Sequence, residues 1–104
     1  MSKRETAIET VKKYIRYCKM LNVDIDKAIL FGSYARNTFS EDSDIDVALI
    51  SKDFTDFPLA DRKKIVKANI HFSMIEPHTF SKKYFSKGDP FISEIKKTGV
   101  YIKL

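Results

Sequence analysis

The sequence predicts an α/β (α+β) fold, in which helices pack on a small mixed β-sheet. Two observations predict this class. Apolar residues near the N-terminus recur at three- and four-residue spacing, as on one face of an amphipathic helix. Further along, short apolar runs such as residues 28–31 and 46–50 have the length and composition of buried strands. The chain has 104 residues, the usual size of a domain, so we expect one domain over residues 1–104.

The elements are expected to alternate between helices and strands. The first helix spans about residues 2–20, because Ser2-x-x-Glu5 can form a capping box ahead of its apolar positions. Gly32 follows the first strand, and a short helix is expected after it. The later elements are a helix from about Pro58, a strand over residues 69–75, a short helix from Asp89-Pro90 to Thr98-Gly99 and a final strand over residues 101–104.

Two prolines and an aspartate set the expected boundaries in the second half. Asp56 is the candidate N-cap of the helix that begins around Pro58. Pro77 is expected to break the chain after the third strand. The side chains expected to face the core from the two later helices are Leu59, Ile65, Val66, Phe91, Ile92 and Ile95.

The charge and composition exclude more than they identify. The formal net charge is +5, but the 19 Lys and Arg residues are dispersed on expected solvated helix faces, so nucleic-acid binding is the weakest function class. No apolar run approaches the length of a bilayer span, and no signal-peptide core follows the N-terminus, so we expect a cytoplasmic protein without membrane segments. The single cysteine, Cys18, fits a reducing compartment and is expected to be a small core residue.

The stretch from Gly32 to Asp46 combines a Gly-Ser turn with an Asp-x-Asp pair. Backbone N–H groups at the start of the helix after Gly32-Ser33 favour bound phosphate, and glycine lets the backbone approach it closely. Alternation along a strand puts Asp44 and Asp46 on the same face, where two carboxylates can share a hard cation. The sequence therefore predicts a phosphate-binding turn followed by a divalent-metal site.

This joined pattern resembles the minimal nucleotidyltransferases of the DNA polymerase β superfamily. The resemblance lies within residues 28–50, in the segments Phe31-Gly32-Ser33-Tyr34-Ala35-Arg36 and Ser43-Asp44-Ile45-Asp46-Val47. It implies a polymerase-β-like nucleotidyltransferase fold. The site residues that it implies are Asp44 and Asp46 as catalytic metal ligands, and Gly32, Ser33 and Arg36 as nucleotide ligands.

The sequence does not determine the contacts of two residues in this loop, Arg36 and Asn37. Arg36 can meet a phosphate or form an ion pair with Asp42, and the sequence does not distinguish these. Asn37 stands where the family usually has glycine. Because asparagine tolerates left-handed backbone geometry, the loop is still expected to close.

The implied reaction is a Mg²⁺-dependent transfer of a nucleoside monophosphate, with AMP from ATP expected, to an acceptor such as a partner protein. The acceptor attacks the α-phosphorus of the nucleoside triphosphate in line with the leaving group, while Mg²⁺ or Mn²⁺ neutralises charge on the phosphates. Two carboxylates suit this task, because Mg²⁺ prefers one or two of them together with substrate phosphates and waters.

The family pattern has a third acidic residue on the third strand, and residues 69–75 contain none. The matching position is His71 or Phe72, and neither supplies a carboxylate. Glu76 is the nearest acid, but beside Pro77 it is expected to face solvent. His71 could serve as a neutral ligand or proton acceptor, or simply as a half-buried strand residue. The sequence thus predicts nucleotide and metal binding and leaves transferase activity in question.

A second function class is a catalytically weak or inactive binding protein that acts as an antitoxin or regulatory subunit. Minimal nucleotidyltransferases of this type often pair with a helical HEPN protein, so the resemblance implies such a partner, and an oligomer is also open. The aromatic side chains considered for a partner surface are Phe54, Phe57, Tyr84, Phe85 and Phe91.

Overall fold

The computed structural model of the chain describes residues 1–40 and 42–104, so Glu41, within the predicted site loop, lies outside the described residues. The described strands form a mixed sheet in the order β3-β2-β1-β4, with β1 antiparallel to β2 and β4, and β2 parallel to β3. The predicted class, helices on a small mixed sheet, is confirmed. In chain order the elements are α1 (Lys3–Met20), β1 (Lys27–Phe31), α2 (Ser33–Arg36), β2 (Ile45–Ile50), α3 (Pro58–His71), β3 (Ile75–Phe80), α4 (Lys82–Lys87), α5 (Pro90–Thr98) and β4 (Val100–Tyr101).

Helices cover both faces of the sheet, because successive residues of β1 and β2 point to opposite sides and most of them are apolar. On one side, Leu30 and Val47 lie in a buried cluster with side chains of α1 and α3. On the other side, Ile29 and Ala48 lie in a second cluster with side chains of α4 and α5. Asp46 is two residues from Ala48, so its side chain points to the side of the sheet that α5 covers.

The first helix has the cap that its sequence predicts. The Ser2 hydroxyl accepts a hydrogen bond from the Glu5 N–H at 3.1 Å, and the Glu5 carboxylate accepts one from the Ser2 N–H at 3.2 Å. On the inner face of α1, Cys18 is fully buried, and burial raises the pKa of its thiol to about 12. The thiol therefore stays protonated near neutral pH, and the prediction of a core residue is confirmed.

The predicted third strand over residues 69–75 is wrong. Helix α3 continues to His71, and Phe72 is its C-cap. The strand that follows, β3, begins only at Ile75 and runs to Phe80. The prediction therefore placed the start of this strand six residues, and its end five residues, too early in the chain.

Packing on α1 explains why α3 extends into a sequence of strand-like composition. The Tyr14 hydroxyl donates a hydrogen bond to the side-chain carbonyl of Asn69. One turn further along α1, the ring of Tyr17 stacks on His71 with the ring centroids 5.0 Å apart. These contacts join residues that are more than fifty positions apart, and they outweigh the local preference for a strand.

Pro77 lies inside β3 instead of ending a strand. Its partner in the parallel register is Val47 of β2. Since β3 is at the edge of the sheet, its backbone bonds to a neighbour on one side only, and this is where sheets tolerate proline. The proline is therefore compatible with a strand that continues to Phe80.

Several helix details also differ from the prediction. The N-cap of α3 is Phe57 rather than Asp56, and α4, which the pattern does not predict, begins after Ser81. The predicted start and end of α5 are confirmed, whereas β4 is shorter than expected. Among the helices of the described residues, none is both long and apolar enough to cross a bilayer. Of the side chains expected to face the core, Ile65, Ile92 and Ile95 are buried, and Leu59, Val66 and Phe91 are exposed.

Candidate active site

The turn after β1 lies directly against Asp46. The register of β1 and β2 pairs Phe31 with Asp46, and the chain then turns at Gly32, where φ is 72°. A Cβ atom placed on Gly32 would lie only 2.5 Å from Asp46 Oδ2, so a side chain at this position would collide with the carboxylate. Both the positive φ and the lack of space therefore require glycine here.

The loop after Gly32 is closed by its own residues. Asn37 adopts the left-handed conformation that the sequence predicts, with φ of 57°, and its N–H donates to the Ser33 carbonyl. The rings of Tyr34 and Phe39 stack with centroids 4.6 Å apart. Ser33 is the first residue of α2, and the first N–H groups of a helix have no partner within it. These donors lie at the same turn as the Asp46 contact.

The sequence leaves open whether Arg36 meets a phosphate or forms an ion pair with Asp42. Arg36 ends α2 and is exposed, and Asp42 is exposed as well. Among the ion pairs of residues 1–40 and 42–104, none joins Arg36 to Asp42. Within this loop, Arg36 is the positively charged residue nearest in sequence to the Gly-Ser turn, and its guanidinium is exposed.

The two aspartates flank a buried residue at the start of β2. Ile45 is 5% exposed, and its N–H donates to the Met74 carbonyl at 2.9 Å, which anchors this end of β2 beside the start of β3. Asp46 is half-buried, with 30% of its side chain exposed, and Asp44 is exposed one residue before the strand. The Asp46 carboxylate is thus held in the sheet, and Asp44 lies just before the first residue of β2.

The structure corrects the position expected for the third acid. Neither His71 nor Phe72 belongs to β3, so neither lies beside the aspartates in the sheet. In the parallel register, the residue paired with Asp46 is Glu76. The Glu76 side chain is 47% exposed and lies 3.8 Å from Arg62, between Oε1 and Nη2. A carboxylate is therefore present at the strand position where the sequence interpretation found none.

His78 is a site residue that the sequence interpretation missed. It follows Glu76 by two residues, so the alternation of β3 places it on the side of the sheet that carries Asp46. Its Nε2 atom lies 3.5 Å from Asp46 Oδ1, is buried, and has no hydrogen-bond partner among residues 1–40 and 42–104. The Glu-x-His spacing is the signal that could have identified it, once the strand was placed correctly.

The residues around Asp46 have the chemistry of a divalent-metal site that a substrate completes. Among the described residues, no group of three or more His, Cys, Asp or Glu side chains is arranged to hold a metal ion by itself. Mg²⁺ usually binds one or two carboxylates and takes its other ligands from phosphates and water. Asp44 and Asp46 supply two carboxylates at the start of β2, so the donors present fit this mode of binding.

Comparison with known proteins finds sequence similarity to one protein family and to one of its relatives. The family model described as "Nucleotidyltransferase domain" matches residues 11–102. A Methanocaldococcus jannaschii protein described as a putative protein adenylyltransferase is 32% identical over 101 aligned residues. The match covers 91% of this chain and 97% of that protein.

Two solved structures share the fold. A putative nucleotidyltransferase from Sulfolobus solfataricus aligns with a TM-score of 0.63 at 17% identity, covering 94% of this chain and 80% of that chain. A chain from a toxin-antitoxin crystal structure with AMP-PNP aligns with a TM-score of 0.62 at 19% identity. That match covers 92% of this chain and 72% of the other.

Proposed function

Because this chain belongs to the nucleotidyltransferase domain family, we propose that it transfers AMP from ATP to a protein acceptor in a reaction that needs Mg²⁺ or Mn²⁺. The observation that carries the proposal is the close approach of the Gly32 turn to the Asp46 carboxylate. It brings the turn that we propose binds phosphate next to the carboxylate that we propose binds the ion. The relative described as a protein adenylyltransferase supports the choice of AMP and of a protein acceptor.

In this proposal, Asp44 and Asp46 hold the divalent ion. When bound, the ion neutralises charge on the triphosphate and on the developing transition state. The N–H groups at the start of α2 and the Ser33 hydroxyl bind the terminal phosphates, and Gly32 allows the backbone to approach them. Arg36, exposed at the end of the same helix, adds a positive charge for the phosphates.

Glu76 is proposed as the third carboxylate of the site, because the sheet register places it beside Asp46. Its role is to accept the proton of the attacking hydroxyl. We expect Glu76→Gln to lower the rate of AMP transfer by about 100-fold, the order of one general base. Parallel calorimetry should find nearly unchanged ATP affinity. Transfer at the wild-type rate by Glu76→Gln would remove Glu76 from the mechanism.

Binding of ATP with Mg²⁺ is the first test of the site. We expect calorimetry to give a binding heat with wild-type protein and none with the double variant Asp44→Asn, Asp46→Asn, because the ion and the triphosphate each supply charge that the other needs. A matched control is Asp24→Asn with Asp53→Asn, which removes two acids that flank the end of the β1–β2 pair opposite to this turn. If the site variant bound ATP as well as the control did, the proposed site would be wrong.

A second candidate function is binding without catalysis, as an antitoxin paired with a helical HEPN-type partner. The observation that favours it is an apolar stripe on α3, where Leu59, Val66 and Ile70 are 79%, 47% and 76% exposed. Their spacing places them along one side of the helix. The similar chain from a toxin-antitoxin structure supports a protein partner.

The aromatic residues considered for a partner surface fall into two groups. Phe54 and Phe85 are buried, and Phe57, Tyr84 and Phe91 are exposed. Phe57 is the N-cap residue directly before α3, and 71% of it is exposed. The two candidate functions differ in the effect of Asp46→Asn on a toxic partner: contact alone predicts full neutralisation by this variant, whereas AMP transfer predicts its loss.

A further inference from the structure

We propose that His78 supplies a nitrogen ligand to the divalent ion beside Asp46, and that this ligand makes the site prefer Mn²⁺ to Mg²⁺. The inference rests on the proposed function, because it assumes a metal at Asp46. It adds a ligand outside the acidic set, and it names the class of ion that this particular chain selects.

The distance between the two side chains is that of neighbouring metal ligands. His78 Nε2 and Asp46 Oδ1 are 3.5 Å apart, which is too long for a good hydrogen bond. Two donors that each lie about 2.0–2.2 Å from one cation, at angles of roughly 90–110°, are about 2.8–3.6 Å apart. The pair is therefore spaced to hold an ion between its two atoms with little movement.

Aromatic neighbours fix the His78 ring in this position. Its centroid is 5.0 Å from that of Phe31 and 5.8 Å from that of Phe91, with both pairs edge to face. The ring presents Nε2 towards Asp46, and within the part of the chain that the structure describes this buried atom has no hydrogen-bond partner. A buried polar atom without a partner is unfavourable and needs an explanation, and a metal ion would provide the missing partner.

The chemistry of imidazole determines which ion benefits. A neutral imidazole is a good ligand for borderline transition metals, whereas Mg²⁺ strongly prefers oxygen. Mn²⁺ accepts both carboxylate and imidazole and also binds triphosphates. A site with Asp46 and His78 as neighbouring ligands is thus expected to favour Mn²⁺, while a site of carboxylates alone would not distinguish the two ions as strongly.

The histidines of this chain provide a matched pair for the test. The sequence has two, and the other one, His71, is exposed on α3 and stacks on Tyr17. The experiment records the pulsed electron paramagnetic resonance of Mn²⁺ bound to the full chain with inorganic triphosphate, which contains no nitrogen. We expect nitrogen modulation from imidazole in the wild type and in His71→Ala, and none in His78→Phe.

Affinities measured by Mn²⁺ titration complete the test. His78→Phe should weaken Mn²⁺ binding about tenfold or more and should change Mg²⁺ binding little. Phenylalanine suits the space between Phe31 and Phe91, and His78→Gln serves as a second variant if His78→Phe does not fold. We expect both variants to lose the nitrogen modulation.

The outcomes separate this inference from the proposed function. If Mn²⁺ binds in an Asp46-dependent way without nitrogen modulation in the wild type, His78 is only an ion-pair partner of Asp46 and the inference is wrong, while the proposed function stands. If Asp46→Asn binds Mn²⁺ as tightly as the wild type, the metal site itself is wrong. Modulation that persists in His78→Phe and disappears in His71→Ala would also overturn the assignment.

Discussion

Asp46→Asn is expected to lower the rate of AMP transfer by at least about 1,000-fold. The substitution preserves the size of the side chain next to Gly32 and removes its negative charge. A catalytic metal contributes several kcal/mol of charge stabilisation, and about 1.4 kcal/mol corresponds to tenfold in rate, so loss of the ion has an effect of this order. The measurement is transfer of AMP to the proposed HEPN-type partner, with thermal melting to confirm that the variant is folded.

Asp42→Asn is the control for this prediction. Asp42 is an exposed acid in the same loop, and the substitution changes the charge of the protein by the same amount. Exposed charges interact weakly through water, so its transfer rate should stay within a few-fold of the wild type. Similar rates for Asp46→Asn and Asp42→Asn would exclude Asp46 as a metal ligand.

Gly32→Ala is expected to destabilise the protein by about 2–5 kcal/mol, because it adds overpacking to backbone strain. The new Cβ would lie 2.5 Å from Asp46 Oδ2, at a residue whose φ is 72°. Since small proteins are stable by about 5–15 kcal/mol, a loss of this size is a large fraction of the total. Urea unfolding of the purified variant measures it.

Gly88→Ala separates the two contributions. Gly88 also has a positive φ, of 83°, but a Cβ there would have no neighbour within 4 Å among the described residues. It should therefore show the strain alone, about 1–3 kcal/mol. The difference between the two variants reports the contact with Asp46. Equal losses would mean that the Gly32 turn is not packed against the carboxylate as the structure has it.

The site loop could be predicted from the sequence because its determinants are local. Gly32 needs an unusual backbone conformation that few other residues adopt, and Asn37 tolerates the left-handed conformation that ends α2. Side chains alternate between the two faces of a strand, so the sequence predicts that Ile45 faces away from Asp44 and Asp46. Each of these features depends on residues that are close in the chain, so each can be predicted from the sequence alone.

The third strand could not be placed in this way. Its start depends on how far α3 extends, and α3 extends because Asn69 and His71 pack against residues of α1. Its course through Pro77 depends on β3 being an edge strand, which is a property of the whole sheet. Without this register, neither Glu76 nor His78 could be recognised as a neighbour of Asp46.

The most direct test of the central claim compares ATP labelled on the α-phosphorus with ATP labelled on the γ-phosphorus. Each is incubated with this protein, Mg²⁺ or Mn²⁺, and the proposed HEPN-type partner. We predict that the partner acquires label from the α-phosphorus only, and that Asp46→Asn abolishes this labelling. Label acquired from the γ-phosphorus, or no label from either position above the Asp46→Asn background, would contradict AMP transfer by this site.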